Sequence, residues 1–252
     1  MRFVWVLNGR KIKRTLFIIV AAFFAALVAF VQNQEVSVFS TTKGPKALSQ
    51  VKTDQDQLSL TFDISWGDVQ VEPILKTLKR EKVKATFFIS GEWAERHKDI
   101  VEKIVKDGHE IASHGYRHQS YTGMEPNEIR KDIQLANQAI KKAIGKKPNL
   151  LRPPFGKINK DVLQTVSRLD QQVVLWSVNP QDAENPGSES IASYVVEHSD
   201  KGDIIRMHAS DSAKQTFKAL PFIIEELKHK DFTFVTLSSL ISDAKVNSKI
   251  IK

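Results

Sequence analysis

The chain has no cysteine among its 252 residues. This absence excludes a thiol nucleophile, a cysteine-ligated zinc site and a disulfide framework. The net charge is +8, but five basic residues precede the first acidic one and supply most of that excess: Arg2, Arg10, Lys11, Lys13 and Arg14. Basic residues interleaved with aromatics, the pattern of a nucleic-acid surface, are also lacking. We therefore expect no nucleic-acid partner.

Long apolar runs are scarce as well, with one exception near the N-terminus. Leu16 to Val31 are sixteen residues without a charged side chain, which predicts a transmembrane segment over residues 15–32 rather than a buried core helix. The basic residues ahead of it place residues 1–14 in the cytoplasm and the rest of the chain on the far side of the membrane. No small-x-small site stands near Ala29, which favours an uncleaved anchor over a signal peptide whose removal would give a secreted protein.

Residues 33–57 are polar and predict a linker or an arm lying on the domain, and residues 243–252 predict a polar tail. Between them, residues 58–242 alternate between β-rich runs and stretches of helical period. The predicted strands are Leu58–Asp63, Ala85–Ile89, Glu110–Ser113, Leu150–Arg152, Val173–Val178, Asp203–Met207 and Phe232–Thr236. The predicted helices are Val71–Arg80, Glu92–Lys106, Pro126–Ile144, Lys160–Leu169, Ser188–Glu197 and Lys214–Lys230, with a short Ser238–Ser242 at the end.

Seven strand-then-helix units predict an α/β domain of parallel strands joined by right-handed crossovers. An open doubly wound sheet and a closed barrel are both compatible with this order. Seven units within about 185 residues favour a small or incomplete barrel.

Residue types that carry chemistry follow five of the predicted strands. They are Asp63, the pair His114 and His118, Arg152, Asp182 and His208. Each has an ordinary explanation: a helix cap for Asp63, a surface ion pair for Arg152, a hydrogen-bonded loop histidine for His208, and two surface histidines for the pair. Because parallel strands end at one rim, the set together predicts a single site.

The same residues resemble the ordered motifs of the polysaccharide deacetylases, the NodB-homology or carbohydrate esterase 4 enzymes. The matching pieces are Thr61-Phe62-Asp63, His114-x-x-x-His118, Arg152-Pro-Pro-Phe-Gly156, Asp182 and Ile205-x-Met-His208. The likeness covers residues 58–241, and the stretches 65–68 and 208–215 are most similar to the sporulation-type PdaB branch. The resemblance implies a distorted (β/α)7 barrel, here behind an N-terminal transmembrane segment.

The resemblance also implies a reaction, the hydrolysis of N-acetyl groups on amino sugars in peptidoglycan or chitin-like polymers. It makes His114 and His118 ligands of a divalent metal, zinc or cobalt, which polarises the amide and activates a water. The implied proton-transfer roles are Asp63 as base, oriented by Arg152, and His208 as acid, tuned by Asp182. Backbone amides beside Phe155 are expected to hold the oxyanion. The expected substrate-binding residues are Trp66, Pro154, Phe155 and Met207.

The chain also departs from the family pattern. Ile64 stands where the family has the aspartate that completes the metal site, so a metal held by two imidazoles is expected to be weak or absent. Asp68 is a possible replacement ligand, and ligation by Asp63 itself is another. Asn179 and Ala183 replace an aspartate and a tryptophan of the family.

Two hypotheses follow. In the first, the protein is a peptidoglycan-type deacetylase at the outer face of a membrane, acting in formation or maintenance of the spore cell wall. In the second, it is a degenerate relative that binds glycan or has a structural role in sporulation without turnover. The retained base, arginine and three histidines favour the first, and Ile64 favours the second.

Overall fold

The computed structural model describes residues 40–41 and 44–250, with side chains described up to residue 244. The predicted anchor at 15–32 therefore lies outside the described residues. Within the described part, no helix is long and apolar enough to cross a membrane. The elements below belong to the compact unit that begins at Lys43, whose first short strand is Gly44–Pro45; Ser40–Thr41 is a two-residue strand of the unit before it.

A seven-stranded parallel sheet forms the centre of the domain. Its strands are β1 Gln57–Ile64, β2 Thr86–Ile89, β3 Glu110–Ser113, β4 Leu150–Leu151, β5 Gln172–Val173, β6 Ile204–His208 and β7 Thr233–Phe234. They lie in the order β5-β4-β3-β2-β1-β6, with β7 paired to the first residues of β1. The domain is thus an α/β half-barrel of parallel strands.

The polar arm before β1 contributes to the barrel wall. Leu48 bridges to Val174, next to β5, while Gln50 bridges to Asp203 at the start of β6. The predicted strand Val173–Val178 is correspondingly shorter in the structure: beyond Val173 the chain forms single bridges, to the arm and from Val178 to Ile205. Because Val174 pairs with the arm and Val178 pairs with β6, residues 174–178 do not form a continuous ladder with one neighbouring strand.

The helices alternate with the strands as predicted. They are α1 Val71–Arg80, α2 Gly91–Arg96, α3 Lys98–Lys106, α4 Pro126–Ile144, α5 Lys160–Ser167, α6 Ser188–His198, α7 Thr216–His229 and α8 Leu237–Ile250. The predicted helix 92–106 is two helices, because the backbone of His97 leaves the helical region and its ring stacks on Trp93. The last helix runs on to Ile250, through the segment predicted to be a polar tail.

Strand β1 separates the apolar core from the polar interior of the barrel. Its even-numbered residues, Leu58 to Ile64, are fully buried in the main apolar cluster with helix residues such as Leu75 and Ile224. Successive strand residues face opposite ways, so Thr61 and Asp63 turn to the other face of the sheet. The alternation therefore places Asp63 where the strands end, inside the barrel.

Gly202 connects the arm to the barrel, since its carbonyl accepts a hydrogen bond from the Val51 amide at 2.9 Å. It has φ +80°, and a Cβ there would lie 1.8 Å from the Val51 carbonyl oxygen. Gly145, at φ +78°, has open space around the same position.

We expect Gly202→Ala to lower the free energy of unfolding by about 3 kcal/mol, from backbone strain plus overpacking. Gly145→Ala is the matched control and should cost only about 1–2 kcal/mol, from strain alone. Urea unfolding of both variants measures the difference. An equal loss of unfolding free energy in both variants would show that the arm moves away from the added Cβ without destabilising the fold.

Candidate active site

A cavity of about 360 Å³ opens where the strands end. It receives side chains from β1, β6 and the loops after β3, β4 and β5. Its lining includes Asp63, Trp66, His118, Phe155, Arg206 and His208, together with Asn179, Gln181, Ala183 and Glu184. The rim predicted from the order of strands and motifs is therefore present, and it brings the carboxylate, imidazole and guanidinium groups together.

Asp63 lies at the base of this cavity with 2% of its surface exposed. Arg152 Nη1 donates to Oδ1 at 2.7 Å, and Arg206 Nε donates to Oδ2 at 2.8 Å. Burial by itself raises the pKa of Asp63, but the charges of the two guanidinium groups outweigh burial and hold the pKa far below its ordinary value. The carboxylate is consequently ionised at neutral pH, with a cation on each oxygen.

Arg152 is a fully buried cation rather than a surface ion pair. Besides Asp63 it donates to Thr61 Oγ1 and to the Leu175 carbonyl, both at 2.9 Å. Its guanidinium lies 4.0 Å above the ring of Phe88. These contacts anchor it so that it orients Asp63 from beneath.

Arg206 was missed by the sequence reasoning. It binds Asp63 through Nε, its Nη2 lies 3.0 Å from His208 Nε2, and its guanidinium stacks 4.1 Å above Trp176. A signal was available: Arg206 is a cation within an otherwise apolar strand, two residues before His208 and so on the same face. A second guanidinium therefore stands in the mouth of the cavity.

His208 is held from behind by Asp182. Its Nδ1 lies 2.8 Å from Asp182 Oδ1, and its backbone amide donates to Oδ2 at 2.7 Å. Asp182 is fully buried and also accepts from Thr216 Oγ1 at 2.6 Å. This geometry holds Nδ1 as the protonated nitrogen and directs Nε2 to the cavity.

His114 and His118 converge, with their Nε2 atoms 3.1 Å apart. The Nδ1 atom of His114 donates to the Arg152 carbonyl at 2.7 Å, so its Nε2 carries no proton and is the acceptor in the contact with His118. Burial lowers the pKa of His114 to about 3 and lowers that of His118 too, so both rings are neutral.

Neutral imidazoles at this spacing fit one divalent ion of the zinc type. Among the described residues, however, no group of three His, Asp or Glu side chains gathers to hold a metal. Within the described part of the chain, His114 and His118 are thus the two candidate protein ligands.

The two predicted replacements do not complete the metal site. Asp68 lies on the surface, with its carboxylate 3.8 Å from His97, so the prediction that it approaches the histidine pair is wrong. Ile64 is fully buried in the main apolar cluster, and an aspartate there would first have to leave that cluster. Asp63, the other possible replacement, already accepts a hydrogen bond on each carboxylate oxygen, one from Arg152 and one from Arg206.

Two of the four predicted substrate-binding residues face the cavity. Trp66 and Phe155 line it and are 55% and 54% exposed, respectively. Pro154 and Met207 are buried, and Met207 packs in the apolar cluster because it lies on the opposite face of β6 from Arg206 and His208. Pro154 and Met207 are therefore not placed to bind a substrate in the cavity, contrary to the prediction.

The loop that carries the histidine pair is fixed by Asp132 on α4. One of its oxygens accepts from the Tyr116 amide at 2.8 Å and from the Tyr121 hydroxyl at 2.7 Å, and the other accepts from the Arg117 amide at 3.3 Å. These bonds hold His118 at φ 53°, an unfavourable angle for a residue with a side chain. Phe155 is strained in the same way at φ 59°, with its ring centroid 4.8 Å from that of His118. Strain of this kind concentrates at functional sites.

That backbone amides beside Phe155 hold the oxyanion stays a prediction. The Gly156 amide donates to the Pro153 carbonyl at 2.9 Å and is therefore engaged within its own turn. A Cβ at Gly156 would lie 2.3 Å from the Trp176 ring, so this turn packs directly against the tryptophan that supports Arg206.

Comparison with known proteins finds similar sequences and folds. The family model described as polysaccharide deacetylase matches residues 50–174. The chain is 34% identical over 195 residues to a peptidoglycan-N-acetylglucosamine deacetylase of Bacillus cereus, covering 76% of the chain and 91% of that protein. It is 28% identical over 210 residues to the uncharacterised protein YlxY of Bacillus subtilis, of which it spans 65%.

Among solved structures, one similar protein is described as a pseudoenzyme. BA3943 of Bacillus anthracis, a carbohydrate esterase 4 family pseudoenzyme, superimposes with a TM-score of 0.75 at 26% identity, covering 79% of this chain and 70% of that one. A mutant of BA3943 with restored enzymatic activity superimposes equally well, with a TM-score of 0.75. The fold is therefore shared by active and inactive proteins.

We expect Asp132→Asn to lower the free energy of unfolding by about 2 kcal/mol, since it replaces a charged acceptor of three hydrogen bonds. Tyr121→Phe removes only one of these bonds and should cost about 1 kcal/mol. Urea unfolding compares the two variants. An equal loss in both would contradict the role of Asp132 in fixing the loop.

Proposed function

Because the chain belongs to the polysaccharide deacetylase family, hydrolases that act on amide bonds, we propose that it removes acetyl groups from the N-acetylated amino sugars of peptidoglycan. The observation that carries the proposal is that Asp63, His118 and His208 line one cavity, with Arg152 hydrogen-bonded to Asp63 and His114 in contact with His118 behind them. The peptidoglycan deacetylases among its relatives support peptidoglycan as the polymer substrate.

The residues divide the chemistry between them. Asp63, kept ionised by Arg152, accepts the proton of the attacking water. His208, whose Nδ1 is held by Asp182, protonates the departing amine through Nε2. Trp66 and Phe155 offer exposed rings against which a sugar ring packs. A divalent ion on His114 and His118 supplies Lewis-acid polarisation when bound.

A second candidate function is glycan binding without turnover. Two observations favour it: among the described residues only His114 and His118 converge as candidate metal ligands, and both oxygens of Asp63 accept hydrogen bonds from guanidinium groups. The inactive relative BA3943 supports it too. The same cavity would then hold an acetamido sugar through its aromatic rim.

We further propose that residues 15–32 anchor the protein in a membrane with the domain on the outer side, where peptidoglycan is, and that it serves the spore cell wall. The basic flank before the apolar run and the likeness to the sporulation branch support this proposal. We expect the full-length chain in the membrane fraction of cells and a chain lacking residues 1–32 in the soluble fraction. Recovery of both in the soluble fraction would overturn the anchor.

The deacetylase function is tested by acetate release from N-acetylglucosamine oligomers and peptidoglycan, with zinc or cobalt added. We expect release that a chelator abolishes and that His208→Ala lowers by at least about 100-fold, the usual contribution of a general acid. His229→Ala is the matched control and should match the unchanged chain, because His229 is an exposed histidine on α7.

Metal analysis separates the two candidates further. We expect less than one zinc ion per chain, reduced again in His118→Ala, because two imidazoles hold the ion without a third protein ligand. No acetate with any divalent metal, together with measurable binding of the glycan, would exclude the deacetylase and establish the second candidate.

A further inference from the structure

Arg206 touches both groups to which the proposed reaction assigns proton transfer. Its Nε donates to Asp63 Oδ2 at 2.8 Å, and its Nη2 lies 3.0 Å from His208 Nε2. A guanidinium donates hydrogen bonds and accepts none, so Nε2 of His208 must be the acceptor and carries no proton. The proton of the neutral ring is on Nδ1, where it is donated to Asp182. In this arrangement His208 has nothing to give to a leaving group.

The same side chain also completes the engagement of Asp63. Arg152 already binds Oδ1 from beneath, so Arg206 adds a second cation to one buried carboxylate. Trp176 supports Arg206 from the other side, with the guanidinium 4.1 Å above its ring, and Trp176 is itself packed against Gly156. Arg206 retains 15% exposure of its side chain, at the cavity rather than in the core. Asp63, His208 and Trp176 thus fix the position of Arg206, and its remaining side faces the cavity.

We propose that Arg206 is a latch, a positioning residue that joins Asp63 to His208 in a resting arrangement and must leave His208 Nε2 before turnover. This inference rests on the proposed function. Once Nε2 is free it takes a proton from solvent and passes it to the sugar nitrogen as the C–N bond breaks, while Asp63 takes one proton of the attacking water and returns it to solvent. The water oxygen goes to the acetyl carbon, and the products are acetate and the free amine.

The latch predicts different behaviour for two substitutions. Arg206→Leu removes both contacts, while Arg206→Lys keeps the positive charge but lacks the planar fork that reaches two acceptors. Both should raise kcat about tenfold with KM changed less than about twofold, the size of effect expected for one charge-assisted hydrogen bond. Arg168→Leu, at an exposed arginine after α5, is the control and should leave kcat unchanged.

A second readout is independent of activity. In the full-length chain labelled with ¹⁵N-histidine, the Nε2 resonance of His208 should move toward that of a ring nitrogen without a hydrogen bond in Arg206→Leu, but not in Arg168→Leu. An unmoved Nε2 resonance overturns the latch, whatever the acetate assay gives.

The two readouts keep the latch and the proposed function distinguishable. A moved resonance without acetate from any variant would show that the Arg206–His208 contact exists, but it would overturn the deacetylase function and with it the role of the latch in turnover. A moved resonance with a lower kcat in both Arg206→Leu and Arg206→Lys overturns the latch, because it would make Arg206 a requirement of turnover. An Arg206→Lys variant that behaves like the unchanged chain would also overturn it, since charge alone would then account for the role of Arg206.

Discussion

The centre of the domain depends on one buried carboxylate and the cations that compensate it. Asp63 is almost fully buried, so its charge must be balanced by protein groups, and Arg152 and Arg206 supply two full charges within hydrogen-bonding distance. Arg152 in turn needs partners of its own, and it finds them in Thr61, the Leu175 carbonyl and the ring of Phe88. The strand ends around the cavity are therefore tied together by a polar network rather than by apolar packing.

Two further buried carboxylates fix the histidines around the cavity. The loop holding His118 is fixed by Asp132, and His208 is fixed by Asp182, both through fully or nearly fully buried carboxylates. Neither of these supports depends on a metal. The domain can thus keep the geometry of a deacetylase around two imidazoles and a second arginine, which makes hydrolysis and non-hydrolytic glycan binding alternatives of one framework.

Much of the fold could be predicted from local pattern. The bounds of α1 and α4 were predicted correctly, because each has a clear period and α4 has a proline at its start and Gly145 at its end. The break at His97 was not predicted, since it depends on a ring packing against Trp93 rather than on a helix-breaking residue. The extent of strand β5 was also overestimated, because an apolar run does not say which neighbours will pair with it.

The sequence alone determined that the chemical residues follow five of the seven predicted strands, and therefore that they meet at one rim. It also determined that Ile64 cannot ligate a metal, because an aliphatic side chain has no donor. Only the tertiary structure decided that Asp68 lies beside His97, that Met207 faces the core, and that Arg206 joins Asp63 to His208. These outcomes depend on which face of a strand meets which distant neighbour, a relation between residues as far apart as 63 and 206 that no local spacing encodes.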